Sequence, residues 1–196
     1  MNQRFIYLAS GSPRRRALLE QIGVRFRVNP VDIDESRIGD EPPVDYVLRL
    51  AKEKAAAATD LLRDDNAVLG ADTTVVVGGD VLGKPRDREE GLAMLSRLSA
   101  AEHKVLTAVC VLHNDQAHTE LSSTRVVFRK LDRMEVERYW ATGEPNDKAG
   151  AYSIQGRGAV FIEHIEGSYS GVMGLPLFET ARLLQKCGIE IMRQAV

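Results

Sequence analysis

Ala67-Val68-Leu69-Gly70-Ala71-Asp72-Thr73-Thr74-Val75-Val76-Val77 is an almost unbroken apolar run, and Gly78-Gly79 follows it directly. Rich in β-branched residues and lacking polar alternation, it reads as a central strand buried on both faces. The glycine pair is a two-residue hairpin signal, so Asp80 to Gly83 is expected to return beside the strand. If Val77 pairs with Asp80, Lys84 stands opposite Thr73 and next to Asp72; a three-residue loop would change the facing residue but keep the neighbourhood. Pro85 ends the returning strand. Asp72 is the interruption that matters. An unpaired carboxylate buried in such a strand costs several kcal/mol, so a lysine or a metal belongs beside it.

Upstream, Val44, Val47, Ala51, Ala55, Ala58 and Leu61 recur at helical spacing between Pro43 and about Leu62, and predict one buried stripe. At about 100° per residue, Lys54 falls within that stripe while Lys52 and Glu53 fall outside it. An amine pointing inward needs an anion, and the polar stretch just before the helix offers Asp32, Asp34 and Glu35. Earlier still, a strand over Phe5–Leu8 runs through Ala9-Ser10-Gly11-Ser12 into a helix over Pro13–Ile22 that opens with Arg14 and Arg15. Ser12 is a good N-cap and Pro13 suits the first helical position, which leaves the amides of the first turn free to face an anion. Ser10 and Ser12 add hydroxyl donors and the arginines add charge. The pattern reads as a phosphate cradle without being a Walker loop, and an ordinary capped helix with solvated arginines is the competing reading.

Downstream, a helix is expected over about Arg88–Leu98, with Leu92, Leu95 and Leu98 inward. A strand pair, roughly Lys104–Leu112 and Glu120–Phe128, is joined near Asn114-Asp115-Gln116. Helix Arg133–Thr142 carries Asp132 as cap, Glu135 to complete a capping box, and Leu131 with Val136 as a hydrophobic staple; Gly143 stops it. Gly143–Gly158 reads as a loop, Ala159–Ile165 as a strand, and about Pro176–Lys186 as a final helix. Strands and helices alternate irregularly, with hairpins inserted, which points to an α/β protein with a mixed sheet rather than a doubly wound parallel one.

The chain has 196 residues and 44% hydrophobic content, enough for one sizeable core, so a single domain over residues 1–196 is expected, with two lobes at most. Lys and Arg number 26 against 28 Asp and Glu, giving a formal net charge of -2. Attraction for anions must therefore be local, and a basic nucleic-acid surface is not expected. Cys110 and Cys187 have no metal-like spacing and read as buried thiols in a reducing compartment. The N-terminal apolar run is too short for a secretory signal or a membrane span, so a cytoplasmic protein without membrane contact is expected. His103, His113, His118 and His164 lack ligand spacing and read as surface or strand-edge residues, and Trp140 beside Tyr139 as a core or dimer contact.

Asp72, Glu35, Lys54 and Lys84 thus gather near the cradle. Two carboxylates and several cations along a phosphate chain suit phosphoanhydride hydrolysis: hard oxygens hold a divalent ion, a carboxylate takes a proton from water, and lysines neutralise the leaving group. A buried structural Asp–Lys pair with no catalytic role accounts for part of the same pattern. Gly143–Gly156 supplies glycines, a lysine, a carboxylate and the amides of Asn146 and Gln155, the inventory needed to read a base edge and ribose.

These residues resemble the Maf family of nucleoside triphosphate pyrophosphatases over almost the whole chain. Ser10-Gly11-Ser12-Pro13-Arg14-Arg15, Arg49-Leu50-Ala51-Lys52-Glu53-Lys54-Ala55, Gly70-Ala71-Asp72-Thr73, Gly83-Lys84-Pro85, Asp147-Lys148-Ala149-Gly150-Ala151-Tyr152 and Gly174-Leu175-Pro176 follow in the family's order. The resemblance implies an elongated α/β fold, similar to that of the inosine triphosphatases, with a mixed twisted sheet and a deep cleft. It implies cleavage between the α- and β-phosphates with Mg²⁺ or Mn²⁺ at Asp72 and Glu35, Asp72 as proton acceptor, Lys54 and Lys84 beside it, and commonly a homodimer. Arg14, Thr73 and Gln155 match the branch acting on dTTP and UTP, and modified pyrimidine triphosphates and an influence on septum formation are associated with the family. A purine-directed pyrophosphatase of the inosine-triphosphatase type and a nucleotide-binding regulator of cell division without hydrolysis are the rival readings.

Overall fold

A computed structural model describes residues 5–62 and 64–192. The apolar run forms strand β3 (Val68–Val77) in the middle of a seven-stranded sheet. The other strands are β1 (Ile6–Leu8), β2 (Phe26–Val28), β4 (Asp80–Leu82), β5 (Glu102–His113), β6 (Gln116–Phe128) and β7 (Ile162–Glu166). Their order is β2-β1-β3-β5-β6-β7, with β4 also paired to β3. β1 runs parallel to β2 and β3, and all other pairs are antiparallel, so the sheet is mixed. Val77 pairs with Asp80, the expected register, across a turn in which Gly78 and Gly79 have φ of +59° and +91°. That backbone is open to glycine without strain.

The edge of β3 explains the cleft. β1 pairs with it at Val68 and Leu69, and β4 takes up the same edge only at Val75. The two neighbours diverge, leaving the edge from Gly70 to Thr74 without a strand partner, and Asp72 and Thr73 lie in that gap. Such a split between strands is where α/β sheets place ligands.

Helices cover both faces: α1 (Pro13–Gln21), α2 (Pro43–Asp60), α3 (Arg88–Leu98), α4 (Arg133–Trp140), α5 (Tyr169–Met173) and α6 (Leu177–Lys186). On one face Val47, Ala51, Ala55 and Ala58 of α2 pack against Val68, Ala108 and Cys110. On the other, α1 and α6 close over Leu69, Val109 and Val111, while α3 and α4 close over Val75, Val105 and Phe128. Among the described residues no helix is long and apolar enough to cross a membrane.

Several elements depart from the sequence reading. The α2 stripe is shorter than expected: Val44 and Leu61 are 39% and 68% exposed, because the sheet supports only the middle of the helix. Asp132 does cap α4, but the Glu135 carboxylate turns to Arg129 rather than to the cap amide, a charged partner outcompeting a neutral one. Gly143–Gly158 is wound into 3-10 turns at Glu144–Asp147, Ala149–Ala151 and Arg157–Phe161, and the last delays β7 to Ile162. α5 has only five residues, too few for periodicity to reveal. His103 is not at the surface; it is buried against Phe128 and Tyr152. Trp140 is a core contact, its ring so close on Gly91 that a Cβ there would lie 2.0 Å from Cζ3.

Candidate active site

Gly70 makes the first approach possible. A Cβ on it would lie 2.3 Å from the Ala51 carbonyl and 2.7 Å from the Ala55 amide, so only glycine lets the α2 backbone come this near β3. Lys54, one residue before Ala55, therefore reaches the strand. Its Nζ donates to Asp72 Oδ1 at 2.7 Å and meets Glu35 Oε1 at 2.6 Å. Lys54 and Asp72 are 8% and 7% exposed, so one buried ammonium is shared by two carboxylates.

The two carboxylates are not equivalent. Burial pushes the Asp72 carboxyl above its ordinary pKa, against the opposing charges of Lys54 and Arg15. Burial acts the same way on Glu35 but is overcome there by the hydrogen bond and charge of Lys54 and by the fields of Lys84 and Arg15, which hold Glu35 below its ordinary value. A pair pushed apart in this way offers a proton acceptor and a permanent anion.

Glu35 sits on a loop held by α2. The Tyr46 hydroxyl donates to the Glu35 carbonyl at 2.9 Å, and Arg49 donates to the Ser36 carbonyl at 3.0 Å and to both Glu41 oxygens at 2.8 Å. Tyr46 was not expected in the site, although it shares a face of α2 with Lys54 two turns on.

The cradle forms as expected. Ser12 caps α1, with Pro13 in its first turn. Ser10 Oγ accepts from Ser12 N at 3.2 Å and from Arg15 Nη1 at 3.0 Å; Arg15 Nε donates to the Gly174 carbonyl at 2.8 Å, and Nη2 reaches Thr73 Oγ1 at 3.4 Å. Gly174 presents that carbonyl from a φ of +115° at the end of α5. All these partners of Arg15 are neutral oxygens, so its charge remains available to a ligand. Arg14 Nε donates to the Met173 carbonyl at 3.3 Å. Behind Thr73, the buried Thr107 hydroxyl donates to the Gly171 carbonyl at 2.8 Å and ties α5 to the sheet, a role with no sequence signal.

A cleft of about 510 Å³ joins these pieces, a size ordinary for small-molecule sites. Ser10, Ser12, Arg14, Arg15, Glu35, Lys54, Asp72, Thr73, Lys84 and Gln155 all line it. Gln155 stands with Asp147 and Lys148 on the segment between α4 and β7, where Asp147 and Lys148 pair with each other. Glu144 of the same segment is absent from the lining, its carboxylate being spent on its own backbone neighbourhood. A second cleft of about 710 Å³ lies beside the β5–β6 turn, where His113, His118 and Lys186 replace this carboxylate–lysine set.

The donor set suits a hard divalent cation. Asp72 and Glu35 oxygens already converge on one cation, the Lys54 ammonium. Among the described residues no group of three His, Cys, Asp or Glu could hold a metal ion, and Asp72 and Glu35 would supply two of the carboxylate oxygens that a cation such as Mg²⁺ takes.

The fold is that of an α/β protein with a mixed sheet and a small-molecule cleft at its split edge, and comparison with known sequences narrows the class. The chain belongs to the Maf family: the profile described as Maf-like protein matches residues 5–187. A protein of Alkalilimnicola ehrlichii is 55% identical over 193 residues, spanning 96% of this chain and 95% of its own length. One from Methylobacillus flagellatus is 55% identical over 192 residues, 97% of this chain and 96% of its own. A third, from Anaeromyxobacter dehalogenans, is 52% identical over 190 residues and 95% of both chains. Each of these relatives is named dTTP/UTP pyrophosphatase.

Proposed function

We propose that this protein hydrolyses dTTP and UTP, and related modified pyrimidine triphosphates, to the monophosphate and pyrophosphate, as a house-cleaning enzyme of the nucleotide pool. The observation that carries the reading is the Asp72–Lys54–Glu35 cluster set against the Arg15 cradle in one cleft. The names of relatives at 50–55% identity support the same chemistry and the same bases.

Ser10, Ser12, Arg14 and Arg15 bind the phosphate chain, the arginines supplying charge and the first turn of α1 its free amides. Asp72, whose proton affinity is raised by burial, accepts the proton of the attacking water. Glu35 stays anionic and, with Asp72, would hold Mg²⁺ or Mn²⁺, which would supply positive charge to the phosphates. Lys54 releases part of its contact with the carboxylates to the phosphates, and exposed Lys84 meets the departing pyrophosphate. Thr73 and Gln155 face the nucleoside. A pyrimidine 2,4-dione presents acceptor, donor and acceptor groups, and a glutamine amide matches two adjacent ones. The reading extends to a cytoplasmic homodimer.

Pyrophosphate release with Mg²⁺ or Mn²⁺ across dTTP, UTP, CTP, ITP, GTP and 7-methyl-GTP tests it. Turnover concentrated on dTTP and UTP is expected. Preference for ITP would favour a purine-directed enzyme, and absence of turnover a non-hydrolytic regulator.

A further inference from the structure

Among the described residues the Glu144 carboxylate makes no ion pair and does not line the cleft, yet both its oxygens are hydrogen-bonded. Oε1 accepts the Tyr139 hydroxyl at 2.7 Å and the Gly158 N–H at 3.1 Å, and Oε2 accepts the Arg157 N–H at 2.9 Å. Tyr139 Oη in turn accepts the Ser153 N–H at 3.1 Å. One carboxylate and one phenol thus take three backbone donors from Ser153–Gly158, the loop that carries Gln155 to the cleft.

The loop is shaped around this pair. A Cβ on Gly156 would lie 2.4 Å from Glu144 Oε2, and one on Gly158 would lie 2.7 Å from Tyr139 Oη. Tyr139 itself is anchored in the core, 4% exposed, with its ring edge-on to Phe161 at 4.9 Å. A glycine-bearing connection has little stiffness of its own, and bonds from its amides to a charged acceptor are the strong kind that fix a backbone. Neither Tyr139 nor Glu144 lines the cleft, so each acts on a ligand through other residues, above all the loop whose amides they hold.

We propose that Tyr139 and Glu144 are positioning residues that set base selectivity, holding the Ser153–Gly158 loop so that the Gln155 amide meets a pyrimidine-dione edge. The proposal rests on the pyrimidine triphosphatase reading above. The cradle and the Asp72 cluster are held by β3, α1 and α2, so loosening the brace disturbs the base end and spares the phosphate end.

The test is steady-state kinetics of Glu144→Gln and Tyr139→Phe on UTP and CTP, with inhibition by inorganic tripolyphosphate as a probe of the cradle without a base. Glu144→Gln keeps the size of the side chain but loses an acceptor; Tyr139→Phe keeps the ring in the core and loses both hydroxyl bonds. The expected result is a KM for UTP raised about tenfold or more. The UTP-to-CTP ratio of kcat/KM should contract by a similar factor, with kcat held within about twofold and the tripolyphosphate Ki unchanged. Folded variants with the original KM and ratio would overturn the proposal. So would equal losses on UTP, CTP and tripolyphosphate, which a merely structural pair produces. If Glu144→Gln does not fold, Tyr139→Phe decides alone. Wild-type protein that releases no pyrophosphate from UTP would refute the functional reading itself, whereas active wild type with unaltered variants refutes only the brace.

Discussion

In the proposed reaction Asp72 is the proton acceptor, and burial suits it to that role: a carboxyl disfavoured as an anion is a better proton acceptor. Asp72→Asn should fold, because the side chain keeps its shape and the charged form is the one burial opposes. It should lose about 10²-fold or more in kcat. Near-normal turnover in a folded variant would contradict the assignment, and circular dichroism with steady-state kinetics decides it. His103 gives an independent check on the core. Burial lowers its pKa from 6.5 to about 4 while its Nε2 meets the Tyr152 hydroxyl at 2.9 Å. Between those values the unfolded chain binds the extra proton, so stability from this group is present above pH 6.5 and is lost as pH falls towards 4. Full loss amounts to about 3 kcal/mol. Denaturant melts from pH 7 to 4 should show that loss in wild type and not in His103→Gln; parallel curves would contradict it. Of these residues the sequence exposes those with a local rule, such as Lys54 by helical angle; the hairpin register held from Val77 to Val75, but β4 ends at Leu82, so Lys84 lines the cleft without pairing opposite Thr73. His103, Tyr139 and Thr107 find their partners across long stretches of chain, and no spacing announces them.

Elements position the site through close approach. Gly70 lets α2 settle on β3, and Gly70→Ala should force the helix away from the strand because the obstacles are backbone atoms. Overpacking of this kind costs about 1–3 kcal/mol, and the displacement should draw Lys54 off Asp72 and lower kcat as well as Tm. Wild-type Tm and kcat in this variant would show that the approach is unimportant. The main strand and its hairpin were legible because β-branched content, a glycine pair and a proline stop coincide within a short stretch. The segment from Gly143 to Phe161 was not, because 3-10 turns held by a side-chain carboxylate have no periodicity. The capping-box signal at Asp132 and Glu135 was half right, the structure spending Glu135 on Arg129.

At the scale of the whole molecule, two strands diverging from one edge of β3 create the cleft, and Val75, Val105, Tyr152 and Ile154 of the core beside the gap form part of its wall. The mixed sheet followed from element order, but the gap itself did not, since it depends on where β1 and β4 stop. One cleft brings the phosphate cradle, the Asp72 cluster and Gln155 together, the set of groups that the proposed cut within a nucleotide's phosphate chain needs. Activity should require a divalent ion, and excess EDTA should abolish turnover that added Mg²⁺ restores. The bond that breaks distinguishes the proposed reaction from every alternative. Following dTTP by ³¹P NMR with Mg²⁺ should show dTMP and pyrophosphate appearing together in equal amounts; orthophosphate with dTDP would contradict the account.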